Sequence, residues 1–134
     1  MRPTSALGTL TFVFLSIVAV SAQYAGWTIP PGGKDEKSPL TPTAAVLAAG
    51  KATFVANCQA CHGPLGKGDG PDSDKDAPAA DLTDEFRIDL NPDGVLFYKI
   101  TNGKPPVMPV FGEKLTKDQI WPLVEHVKSL RAKP

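Results

Sequence analysis

The sequence predicts an all-α domain of three to four helices joined by long loops. Apolar residues recur at helical spacing, helix-capping residues precede these segments, and no convincing strand pattern occurs. The 134 residues, 42% of them hydrophobic, suffice for one small domain. Basic and acidic residues balance at 14 each, so the charge gives no indication of binding to nucleic acid.

Residues 1–22 are predicted to be a signal peptide or a membrane anchor. Arg2 precedes an apolar stretch from Ala6 to Ala19, and small residues follow up to Ala22, which is the order of a secretory signal. The stretch is short for a membrane-spanning helix, so both cleavage after Ala22 and retention as an anchor stay open. In either case we expect an extracytoplasmic, periplasmic protein. Cleavage would leave 13 of the 14 basic residues against 14 acidic ones, a net charge of −1.

Residues 23–42 are predicted to be a linker. The segment is rich in proline and glycine and carries the charged patch Lys34–Lys37, a composition that favours an extended chain. We expect it to tether the domain, residues 43–134, and not to fold. With a retained anchor, such a linker would give the domain a reach of roughly 25 Å.

The first helix is predicted to begin at Thr41 or Thr43 and to run towards Cys58. Both threonines are good N-cap residues, and Pro42 is tolerated in a first turn. Residues 63–78, rich in glycine, proline and aspartate, predict a loop without regular structure.

Two further helices follow. Asn91 as cap and Pro92 at the first position predict a helix that stops at Gly103. The last helix begins at the capping box Thr116–Gln119 and continues with apolar residues at helical spacing. Pro122 removes one backbone hydrogen bond and should bend its opening turns.

The chemistry is carried by Cys58-Gln59-Ala60-Cys61-His62, which contains both cysteines of the chain. Cys-x-x-Cys-His is the motif through which a haem is attached covalently. Two thiols one helical turn apart can reach two vinyl groups on one porphyrin edge, and the adjoining imidazole then lies beneath the iron. A disulfide is the ordinary alternative in an exported protein, but a disulfide does not require His62. Because the motif occurs once, we expect one covalent haem c.

The iron needs a second axial ligand if it is to transfer electrons without binding small molecules. Apart from the initiator, the only methionine is Met108, which is held between prolines in a stiff segment. His126, the only other histidine, lies among apolar residues of the last helix, where packing is the usual role. Met108 is therefore the candidate thioether ligand, and a thioether raises the reduction potential relative to a second histidine.

These segments resemble the class I c-type cytochromes, in particular small bacterial monohaem members, over roughly residues 43–131. The resemblance implies a haem packed among helices, with His62 and Met108 as axial ligands and one edge exposed for electron exchange. The matching segments are Cys58–Gly63, Gly66–Pro71, Ala80–Thr83, Ile100–Gly103, Met108–Phe111 and Leu115–Trp121.

The resemblance also implies that the first and last helices cross. Gly50 and Phe54 match the small and aromatic residues of the first helix, and Leu123 matches the aliphatic residue of the last. His126 stands where an aromatic residue is usual, so the packing there is expected to be looser or pH-sensitive.

Two expectations concern the surroundings of the haem. The resemblance implies a proline carbonyl that accepts the Nδ1 proton of His62, and Pro78 and Pro71 are the candidates. The residues expected to line the pocket are Phe86, Leu90, Leu96, Phe97, Ile100, Phe111 and Trp121.

The sequence thus predicts an exported monohaem cytochrome that carries single electrons between respiratory partners and transforms no substrate. A quinol-oxidising complex or a dehydrogenase would be the donor, and a terminal oxidase or another cytochrome the acceptor. A haem subunit tethered within a larger membrane oxidoreductase complex is the alternative. A peroxidase-like enzyme would need an open iron and a distal acid–base group, and a thiol–disulfide oxidoreductase would need its motif at the start of a helix that follows a strand.

Overall fold

The computed structural model describes residues 24–131, so the predicted signal or anchor segment lies outside the described residues. The described residues contain four α-helices and no β-strand, which confirms the predicted all-α class. None of these helices is long and apolar enough to cross a membrane. The helices are α1 (Ala44–Asn57), α2 (Gln59–His62), α3 (Asp93–Asn102) and α4 (Lys117–Ser129). Short 3₁₀ turns cover Gly33–Asp35, Glu85–Arg87 and Phe111–Glu113.

The helix termini follow largely from the predicted caps. Thr43, not Thr41, is the N-cap of α1, because its Oγ1 accepts a hydrogen bond from the backbone N–H of Val46 at 3.3 Å. Helix α3 begins one residue later than predicted, with Pro92 as its N-cap, and Asn91 instead donates its side-chain amide to a carbonyl of the preceding turn.

Helix α4 begins at the predicted capping box. The side-chain oxygen of Gln119 accepts a hydrogen bond from the backbone N–H of Thr116 at 3.0 Å, which satisfies one of the donors left free at a helix start. The helix continues through Pro122 to Ser129. It therefore presents one long apolar face to the core.

Helices α1 and α4 cross at Gly50. A Cβ atom there would overlap the carbonyl oxygen of Pro122 and lie 2.8 Å from the Cβ of His126. One turn on, the ring of Phe54 meets the imidazole of His126 edge-on, with 5.2 Å between ring centroids. The crossing implied by the resemblance is thus present. The expected loosening is absent, since His126 is only 8% exposed.

The main core lies between α1, α3, α4 and the turn at Phe111. Ten buried apolar side chains form one cluster, and half-buried residues such as Trp121 and Met108 pack against it. The cluster consists of Phe54, Leu96, Phe97, Ile100, Phe111, Leu115, Ile120, Leu123, Val124 and Val127.

The segment predicted to be a flexible linker packs against the domain, so the expectation that it does not fold is wrong for residues 24–40, called here the N-terminal strap. The backbone N–H of Gly94 donates to the Glu36 carbonyl at 3.1 Å. The Tyr98 hydroxyl donates to Glu36 Oε1 at 2.6 Å. The strap can lie this close because residue 94 is a glycine. Any side chain there would overlap the carbonyl oxygen of Gly33.

Candidate cofactor site

An apolar cavity, partly open to solvent, lies between the helices. Side chains from α1, α3 and α4 and from the loop before α3 form its walls. The apolar wall residues are Phe54, Leu82, Leu96, Ile100, Leu123 and Val127.

The Cys-x-x-Cys-His motif lies where α1 ends. Cys58 is the C-cap of α1, and the short helix α2 that follows carries Cys61 and His62. Cys58 and His62 line the cavity, whereas the thiol of Cys61 donates to the carbonyl oxygen of Asp72 at 3.7 Å. Burial, and to a lesser degree Cys61, raises the pKa of the Cys58 thiol to about 11 against a small opposing effect of Lys114. The Cys58 thiol is therefore protonated at neutral pH.

The imidazole of His62 is held by a backbone carbonyl. Its Nδ1 lies 3.0 Å from the carbonyl oxygen of Ala80. Because a carbonyl oxygen only accepts, Nδ1 must carry the proton, and the lone pair of Nε2 is available to a metal. The prediction that Pro78 or Pro71 supplies this carbonyl is wrong. The accepting residue lies two positions beyond Pro78.

Two glycines explain why the carbonyl of Ala80 is in reach. Gly66 and Gly68 have φ values of +76° and +77°, which favour glycine. The backbone N–H of Leu82 donates to the Gly66 carbonyl at 2.6 Å, and a Cβ on Gly68 would overlap the carbonyl oxygen of Ala79. The glycine-rich loop therefore clamps the 79–82 segment beside His62.

Met108 lines the same cavity from the loop after α3. The backbones of Met108 and Lys104 exchange two hydrogen bonds of 2.8 and 3.0 Å, which close the loop at its base. The side chain of Met108 is half-buried and packs against the core. His126, in contrast, lies in the α1–α4 crossing and does not line the cavity.

The predicted pocket residues fall into three groups. Leu96 and Ile100 line the cavity as expected. Phe97 and Phe111 are buried in the core instead, and Trp121 stacks on Phe97 with ring centroids 4.3 Å apart. These three aromatic residues pack in the core next to the cavity-lining residues and do not line the cavity themselves.

Phe86 and Leu90 were predicted to line the pocket, and this prediction is wrong, because they are 86% and 47% exposed. The reason is the 3₁₀ turn at 85–87, where the Asp84 carboxylate accepts a hydrogen bond from the backbone N–H of Phe86 at 3.0 Å. The turn leaves the Phe86 ring in solvent, whereas Arg87 and the later Asn91 line the cavity.

The sequence reasoning missed the polar end of the cavity, formed by Trp27, Arg87, Asn91, Lys99 and Arg131. Helical spacing in the sequence could have indicated one of these polar residues. Lys99 follows Leu96 by three positions within α3, so the two share a helix face. Arg131 lies in the turn after α4, where helical spacing does not place it.

The residues of the cavity fit an iron porphyrin. Apolar walls suit the macrocycle, an imidazole and a thioether are typical ligands of haem iron, and basic side chains at one end suit the carboxylates of the cofactor. A helical domain with this site and a Cys-x-x-Cys-His motif defines a class I c-type cytochrome.

Residues 45–127 match the protein family described as Cytochrome C oxidase, cbb3-type, subunit III, and the chain belongs to this family. Its cofactor is a covalently bound haem c.

Similar proteins include larger and smaller cytochromes. The chain is 35% identical over 83 residues to the Cbb3-type cytochrome c oxidase subunit FixP of Bradyrhizobium sp. (strain ORS 278). This alignment covers 62% of this chain and 27% of FixP. It is 37% identical over 78 residues to cytochrome c6 of Gloeothece citriformis, covering 58% of this chain and 66% of that protein. A chain of the Kuenenia stuttgartiensis reducing HAO-like protein complex has a TM-score of 0.57 and 33% identity, over 69% of this chain and 46% of that one. The chain thus matches about a quarter of FixP.

Proposed function

We propose that this protein is an exported electron carrier, in which Cys58 and Cys61 hold the haem by thioether bonds and His62 and Met108 are the axial ligands. The observation that carries the proposal is that Cys58, His62 and Met108 line one cavity. When bound, the haem supplies the Fe(III)/Fe(II) couple, which exchanges one electron at a time.

Each side chain has a defined task in this proposal. His62 offers Nε2 to the metal while Ala80 holds its Nδ1 proton. Met108 offers a soft, uncharged sulfur, which favours Fe(II) and raises the reduction potential. The apolar walls would surround the macrocycle. His62 and Met108 would both bind the metal and would leave no position for a substrate, so the proposed protein is a carrier and not an enzyme.

The proposed partners are redox proteins outside the cytoplasm. A quinol-oxidising complex or a dehydrogenase donates the electron, and a terminal oxidase or another cytochrome accepts it. The similarity to FixP, which is named as an oxidase subunit, supports an oxidase on the accepting side. Residues 1–22 then act as a signal peptide or as a membrane anchor.

A second candidate function is that of a haem subunit within a larger membrane oxidoreductase complex. The family description and the FixP match favour it. N-terminal sequencing of the mature protein, combined with membrane fractionation, separates the two. A free N-terminus at Gln23 in the soluble fraction identifies a free carrier. Retention of residues 1–22 in the membrane fraction identifies a tethered subunit.

The axial ligands are tested by absorption spectroscopy of the full chain, matured in a host that attaches haem. We compare the parent protein with Met108→Ala and, as a control at the competing candidate, His126→Gln. The weak methionine-to-ferric-iron band should be present in the parent and in His126→Gln and absent in Met108→Ala. A band that survives in Met108→Ala contradicts the assignment of the sixth ligand, and a chain that attaches no haem overturns the whole proposal.

A further inference from the structure

The N-terminal strap contributes a wall to the cofactor cavity. A turn closed by a hydrogen bond of 2.8 Å from the Trp27 N–H to the Tyr24 carbonyl carries the indole, and the Trp27 side chain lines the cavity. The next residue is fixed to α3, because the side-chain amide of Asn102 donates to the Thr28 carbonyl at 2.6 Å. The strap is thus anchored beside the point where it reaches the cavity.

Trp27 also contacts a lysine of the cavity. The ammonium of Lys99 lies 4.8 Å from the centroid of the Trp27 ring and 5.8 Å from that of Tyr24. The same ammonium donates to Asn91 Oδ1 at 2.7 Å. Two aromatic faces from the strap and one amide from the loop before α3 therefore fix the position of a charge that a long side chain would otherwise leave mobile.

Two of the three cations that line this end of the cavity, Lys99 and Arg131, lack a matching anion among the described residues. Within residues 24–131, neither Lys99 nor Arg131 forms an ion pair, and the Nε of Arg131 is buried without a hydrogen-bond partner. Arg87 is paired with Asp84 at 3.1 Å. The carboxylate that does line the cavity, Asp81, accepts hydrogen bonds from Thr83 instead.

The electrostatic cost of this arrangement is visible in the pKa values. Burial, together with smaller repulsion from Arg87, Lys104 and Arg131, lowers the pKa of Lys99 to about 8. Burial also lowers the pKa of Arg131. Uncompensated buried cations are costly, so an anion in the cavity would stabilise both side chains.

We propose that the N-terminal strap is a working part of the haem site, in which Trp27 and Asn91 hold Lys99 so that Lys99 and Arg131 bind the carboxylates of the haem. This inference rests on the proposed function, because it assigns the anion to the cofactor. Trp27 is a positioning residue that acts through Lys99. A cation fixed close to the metal also favours Fe(II), so the strap raises the reduction potential.

The test is the midpoint potential of the full, haem-loaded chain. Lys99→Met removes the cation at nearly constant volume and should shift the reduction equilibrium about tenfold towards Fe(III), which is about 59 mV for one electron. Lys117→Met is the matched control, because Lys117 is exposed and its charge is screened by solvent. Its potential should stay close to that of the parent.

Trp27 is tested by a double-mutant cycle. Trp27→Leu alone should lower the potential in the same direction as Lys99→Met, and adding Trp27→Leu to Lys99→Met should lower it no further. Additive shifts mean that Trp27 does not act through Lys99 and overturn its positioning role. Equal shifts for Lys99→Met and Lys117→Met overturn the carboxylate site.

The methionine-to-iron band, recorded for every variant, separates this inference from the proposed function. If the parent lacks the band or the haem, the proposed function fails. If the parent and all variants retain the band but the potentials do not follow the expected pattern, only the role of the strap fails.

Discussion

The imidazole Nδ1 of His62 lies 3.0 Å from the carbonyl oxygen of Ala80. A hydrogen bond of this kind fixes the orientation of a ligating ring and raises the basicity of its second nitrogen. The position of the carbonyl depends on Gly68, where any Cβ would overlap the Ala79 carbonyl oxygen. With His62 as the proposed ligand, the glycine-rich loop would tune the iron, although it does not line the cavity.

Gly68→Ala should raise the reduction potential. The added methyl group pushes the 79–82 segment away, the hydrogen bond to His62 weakens, and a less basic imidazole stabilises Fe(III) less. We expect a shift of about tenfold in the reduction equilibrium, about 59 mV for one electron, measured by redox titration of the haem-loaded protein. Val55→Ala is a suitable control, because Val55 is 51% exposed and lies outside both the glycine-rich loop and the N-terminal strap. Equal potentials in the two variants would count against a role for the Ala80 carbonyl.

How far the sequence predicted this structure depends on the range of the interactions. Caps such as Thr43 and the box at Thr116 act within one turn, so local sequence was sufficient to find them. The docking of the strap depends on Gly33 and Gly94, which are 61 positions apart in sequence and touch only in the fold. Composition alone therefore made the strap resemble a free linker.

The errors at the site have the same origin. Residue type suggested that Phe86 lines the pocket, yet a capped turn leaves its ring in solvent. The cation site went unrecognised because Lys99, Arg131 and Trp27 come from three distant segments. In contrast, the Cys58–His62 motif was readable because its spacing is itself the signal.

Gly50→Ala should destabilise the domain. Helix propensity alone predicts the opposite, a gain of roughly 0.5–1 kcal/mol when alanine replaces glycine inside a helix. The added methyl group would, however, overlap the Pro122 carbonyl oxygen, and overpacking of this kind typically costs about 1–3 kcal/mol. Thermal or urea unfolding measures the difference. A more stable Gly50→Ala variant would show that the helices can separate at no cost.

His126→Tyr should stabilise the domain by enlarging the aromatic contact at the position where the family resemblance implies an aromatic residue. The imidazole already packs edge-on against Phe54, and a larger ring adds apolar contact, worth on the order of 0.5–1.5 kcal/mol for an aromatic pair. The melting temperature reports the effect, with His126→Leu as a control that keeps the position apolar but removes the ring. An unchanged or lowered melting temperature of His126→Tyr would contradict the expectation.

The same histidine should make the stability depend on pH. Burial, and to a lesser degree Lys51, lowers the pKa of His126 from its ordinary value of 6.5. Between the lowered pKa and 6.5 the unfolded chain binds more protons than the native protein, so the free energy of unfolding falls as the pH falls through this range. At lower pH both states are protonated and the loss levels off.

Urea unfolding at a series of pH values from 8 to about 4 isolates this contribution when the parent is compared with His126→Tyr, which cannot titrate in that range. The parent should lose more stability than the variant on acidification. Lys51→Met should show a smaller loss than the parent, because one of the two causes of the shift is removed. If the parent and His126→Tyr lose the same amount, another group controls the acid sensitivity, and the imidazole at the α1–α4 crossing is as easily protonated in the native protein as in the unfolded chain.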